Sequence, residues 1–140
     1  MVVSSSNLRA WQVSLGGICG LVLTLGLARF AFTPLLPAMQ AQAGLSDAGA
    51  GALASVNYLG YMTGALVAAW LDDVRWRHRG YLAGLWLALL STAAMATTDH
   101  IAVWALCRFL GGLCGASGML LGSGLVLGWL MQHGRRPELG

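Results

Sequence analysis

The sequence predicts an all-α membrane protein of four transmembrane helices, on three observations. Only 9% of the 140 residues are charged and 57% are hydrophobic, whereas a soluble domain carries about a quarter charged residues. The mean hydropathy is +0.69. Four apolar runs, at about residues 10–39, 46–71, 80–97 and 101–131, are each of roughly bilayer-crossing length and are separated by short polar loops. A single membrane domain over residues 1–140 follows.

The first run starts at Trp11 and carries Arg29, Phe30, Thr33, Pro34 and Pro37. An arginine at mid-membrane costs about 2.5–3.5 kcal/mol, and each Leu, Ile or Val returns about 0.3–0.6 kcal/mol. The aliphatic residues from Val13 to Leu27 therefore offset one such charge, and the segment still inserts. Pro34 and Pro37 remove the donors that would meet the carbonyls of Phe30 and Thr33, which predicts a bend beside the arginine. Ala41-Gln42-Ala43 has the small-x-small look of a cleavage site, but the apolar core before it is longer than a signal sequence's.

In the loop that follows, Ser46 is placed to cap the second helix, with Asp47 at the positive end of its dipole. That helix carries Gly60, Gly64 and Ala68 at a spacing of four, a stripe that admits another helix at close range. Asn57 and Tyr61, also four apart, share a face. Asn57 fits either a bond between helices or a place on a solute path. Asp72 to Arg79 is the most charged segment and reads as a solvated turn. The third run is uncharged and scaffold-like; the fourth is rich in glycine and carries Arg108 in its first half.

Arginines lie before the first run, between the second and third, and after the fourth, while the other two loops carry only acidic charge. The positive-inside rule then puts both termini in the cytoplasm. Trp104 would sit at the outer interface, and Trp11, Trp70 and Trp129 near the inner one. Arg29 and Arg108, each followed by phenylalanine, both fall in the outer half. Intramembrane arginines face protein or water, which makes each a candidate for a solute path; the other reading is that they reach to the headgroups.

The composition also excludes. All eight basic residues are arginine and the net charge is only +3, with no basic run long enough for nucleic acid. Cys107 and Cys114, two helical turns apart, are separated by about 10 Å, too far to bridge. No ligand-spaced Cys/His set, nucleophile–base pair or phosphate loop stands out, so no metal, cofactor or enzymatic activity is expected. No Asp or Glu lies deep in a span, so an acidic partner for the arginines must come from elsewhere.

Gly26 to Met39, Ala52 to Tyr61 and Arg108-Phe109-Leu110-Gly111-Gly112 together resemble the start of the YbfB/YjiJ-type branch of the major facilitator superfamily. The resemblance implies the first third of a twelve-helix fold. Its members are secondary active transporters, so it implies a small organic solute, ion coupling with protons as the candidate ion, and residence as a multi-pass protein of the bacterial inner membrane. Arg108 would be the coupling arginine and Gly112 its close-packing glycine. Asp72 and Arg77 would stand for the acidic and trailing basic residues of the superfamily's loop after the second helix. The expected path residues are Arg29, Phe30, Thr33, Asn57, Tyr61 and Arg108; Pro34, Pro37, Gly60, Gly64, Gly112 and Gly115 would set kinks and packing. On this reading the chain is an amino-terminal portion whose partners are the bilayer, the solute and the remaining helices. The other expectation is a non-transporting four-helix scaffold or interaction protein.

Overall fold

The computed structural model describes the backbone of residues 10–30 and 32–133 and the side chains of residues 11–26 and 32–132. Among these residues every regular element is helical, with no strand: α1 (Ala10–Leu21), a π-helical stretch (Val22–Phe30), α2 (Phe32–Ala43), α3 (Asp47–Trp70), α4 (Val74–Met95) and α5 (Ile101–His133). By length and composition, α3 and the Ile101–Gln132 part of α5 could each cross a membrane.

The first apolar run is therefore not uniformly α-helical. It winds as α-helix, widens into nine π-helical residues, and resumes as α-helix from Phe32. The widening coincides with tight packing: Thr24 is fully buried, donates through Oγ1 to the Gly20 carbonyl at 2.8 Å, and rests against Gly118 of α5. Pro34 then falls in the first turn of α2, where its missing donor would have been unsatisfied anyway, while Pro37 lies inside the helix. Gly44, at φ +66°, turns the chain out of α2 in the left-handed region that glycine adopts without strain.

Ser46 caps α3, its hydroxyl accepting from the Gly49 amide at 3.1 Å. α4 begins earlier than the charge pattern implies. Asp73 caps it by accepting from the Arg75 amide at 2.9 Å, so the arginines read as a solvated turn form its first turns. Charged residues in an exposed first turn remain hydrated, and solvation alone does not distinguish helix from loop. Arg77 turns back to donate from Nε to the carbonyl of Leu71 at 2.7 Å, closing the end of α3.

α5 is the axis of the bundle. Its residues Cys114 to Gly118 are all buried, so that no face of this turn is left uncovered. The broadest contact is with α3, where the packing is backbone against backbone. A Cβ at Gly60 or Gly64 would collide with the carbonyls of Phe109 or Leu113, and one at Gly112 with the carbonyl of Asn57. On the opposite side Ala88 of α4 packs against Cys114. Near the α2–α3 turn, Phe32, Leu45, Ala50, Leu53 and Trp104 form an apolar cluster. Trp104 is only 4% exposed and its indole donates to the Met95 carbonyl at 3.2 Å. It ties α5 to the end of α4.

Candidate functional site

Arg108 sits in the third turn of α5 and is 5% exposed. Burial of a guanidinium requires compensation, and part of it is aromatic. The ring of Phe32, itself 7% exposed, covers the guanidinium with 4.3 Å between Cζ and the ring centroid. Such a pair is worth up to about 2 kcal/mol when desolvated. Phe32 reaches this position as the first residue of α2.

The backbone of Arg108 is held separately. Asn57, 3% exposed, donates from Nδ2 to the Arg108 carbonyl at 2.7 Å. The approach depends on Gly112, one turn further along α5, where the absence of a side chain lets the Asn57 backbone close in. Asn57 thus acts as a bond between helices and at the same time fixes the turn that aims Arg108.

Arg108 lies in the wall shared by two cavities. One, of about 350 Å³, is lined by Phe32, Thr33, Asn57 and Tyr58 together with small residues of α3. The other, of about 260 Å³, is reached past Phe32, Trp104, Gln42 and Thr92, with Asp99 at its margin. A cation between two cavities, screened by one ring, can attract an anion into either. The Asp99 carboxylate in the second is the one acidic group among the described residues that shares a cavity with Arg108.

Of the expected path residues, the structure brings Thr33, Asn57 and Arg108 together. Tyr61 lies a turn away from Asn57, beside Gly115, its hydroxyl 3.8 Å from the sulfur of Met119, and does not line either cavity. The side chains of Arg29 and Phe30 lie outside the described residues. Phe32, Tyr58 and Asp99 were missed in the sequence. Phe32 carried a signal, as the aromatic nearest the prolines, but its partner is 76 positions away in the chain. Pro34 and Pro37 are exposed on α2. Gly60, Gly64 and Gly112 make the α3–α5 contact, whereas a Cβ at Gly115 would come only to ordinary contact, 3.5 Å from the Thr24 carbonyl.

The described residues thus form an all-helical bundle with two apolar helices of membrane-crossing length, glycine-mediated helix contacts and an arginine between two cavities. Residues 21–140 match the family described as "Uncharacterised MFS-type transporter YbfB". The chain belongs to this family of major facilitator transporters, and is accordingly a membrane protein. No curated protein and no solved structure matches it.

Proposed function

We propose that these helices form the first part of a secondary active transporter that moves a small organic anion across the bacterial inner membrane, coupled to an ion such as the proton. In this reading the chain crosses four times: once through α1, the π-helical stretch and α2 together, then through α3, α4 and α5, with both termini in the cytoplasm. Arg108 is the solute-attracting charge, Phe32 its cover and Thr33 a polar contact; the remaining helices of the carrier close the path. The reading is of a carrier and not an enzyme, with the bilayer, the solute and the coupling ion as partners and no nucleic acid.

The observation that carries it is Arg108, buried but placed where two cavities meet. The residue lines space on two sides that a ligand can enter. The test is accumulation of labelled small carboxylates by cells expressing the intact transporter with Arg108→Gln. Loss of accumulation at unchanged protein level is expected. Wild-type accumulation by the variant would remove Arg108 from the path and with it this reading.

A further inference from the structure

A larger cavity lies at the opposite end of the bundle, away from Arg108. It is a cleft of about 740 Å³ between α1, the start of α4 and the end of α5, within the size range of ligand sites. Its walls are bare backbone in several places. A Cβ at Gly20 or Gly122 would run into the ring of Tyr81, so those two glycines make the slot in which Tyr81 lies. A Cβ at Gly16 or Gly128 would meet nothing within 4 Å. Among the described residues, those two therefore border open space. The remainder of the lining is apolar, from Val13 and Leu23 on one side to Leu125 and Trp129 on the other.

One end of the cleft is cationic. Arg77 and His78 line it, beside Gln132. The Nε of Arg77 is anchored on the Leu71 carbonyl at 2.7 Å, and its Nη1 would stand 3.9 Å from a Cβ at Gly124. The anchor is a neutral carbonyl, so it orients the guanidinium without neutralising it. Of the nearby acidic residues, Asp73 is engaged as the α4 cap. Val74 and Cys19, both exposed, mark an open margin through which an occupant can enter from the side.

An apolar slot with a cationic mouth at the end of membrane helices selects an amphiphile with a negative head. We propose that the cleft holds one acyl chain of an anionic phospholipid, with its headgroup phosphate on Arg77 and His78. The chain lies along the Gly16 and Gly128 walls, and the ring of Tyr81 forms the side of the slot. The site is separate from the Arg108 cavities and does not depend on what they bind.

Trp129 lines the cleft and serves as the reporter. The intact protein is reconstituted in phosphatidylcholine vesicles containing a small fraction of either phosphatidylglycerol or phosphatidylcholine brominated on the acyl chains. Quenching of Trp129 is read as the difference between wild type and Trp129→Phe. The brominated phosphatidylglycerol is expected to quench about fivefold more effectively than the brominated phosphatidylcholine, the preference that one arginine near a surface confers. Arg77→Gln should bring the two lipids close to parity, and Gly128→Leu, which fills the slot, should weaken quenching by both. Equal quenching in the wild type would overturn the proposal as ordinary lipid contact. No quenching by either lipid would overturn it in favour of a protein segment or an aqueous solute. Should Arg77→Gln fail to fold by circular dichroism, the wild-type comparison and Gly128→Leu decide.

Discussion

Phe32 and Arg108 meet ring to guanidinium at 4.3 Å, although a helix end and two further helices separate them in the chain. Phe32 is the first residue of α2, and its ring lies over the third turn of α5.

Replacing the ring is therefore expected to uncover the charge. Phe32→Leu keeps apolar volume and loses the aromatic face, at a cost in stability of about 2 kcal/mol at most. Arginine-selective dicarbonyl reagents, followed by peptide mass spectrometry, should label Arg108 faster in this variant than in wild type. Equal labelling would show that the ring does not guard the guanidinium.

The α3–α5 contact makes a sharper prediction about size. Gly112→Ala places a methyl group against the Asn57 carbonyl, so the helices must separate, at about 1–3 kcal/mol. Gly51→Ala is the control: a Cβ there meets nothing within 4 Å, and an exposed site of this kind changes stability by no more than about 1 kcal/mol. Unfolding in mixed micelles by titration with dodecyl sulfate separates the two.

Asn57 is expected to behave as a fastener. Asn57→Ala loses its bond to the Arg108 carbonyl, worth about 0.6–1.7 kcal/mol inside a membrane, and lowers the unfolding midpoint. If its amide serves only the helix contact, the KM for transported solute stays unchanged while the amount of folded protein falls. A changed KM at normal folding would instead assign the amide to the solute.

Trp104 offers a spectroscopic check. Buried and bonded to Met95, it should contribute a blue-shifted emission component that aqueous acrylamide does not reach, identified by subtracting Trp104→Phe. That substitution removes one hydrogen bond and should cost about 1 kcal/mol. Ready quenching of this component would show that Trp104 is open to water.

These residues also mark where the sequence was informative. The bounds of α3 and α5, the Ser46 cap and the Gly60–Gly64 stripe were legible because each rests on local rules: apolar length, side-chain capping and small-residue spacing. Arg108 was legible because a charge in an apolar run has few explanations. The π-helical stretch was not, since it accompanies Thr24 packing against a glycine nearly a hundred residues later. The early start of α4 was hidden because charge reports solvation and not backbone conformation. Tyr61 shares a helix face with Asn57, yet each meets a different part of α5, so one lies at the cavities and the other against Met119.

The glycine contact between α3 and α5 limits how this bundle can move. Backbone pressed on backbone offers no side chains whose rotation could relieve a slide, so the pair must travel as one rigid keel. Elsewhere on α5, Gly17 of α1 meets Val126 between two hollows, which leave that seam room to shift. A covalent staple across the first pair should leave the working cycle intact; the same staple across the second should arrest it.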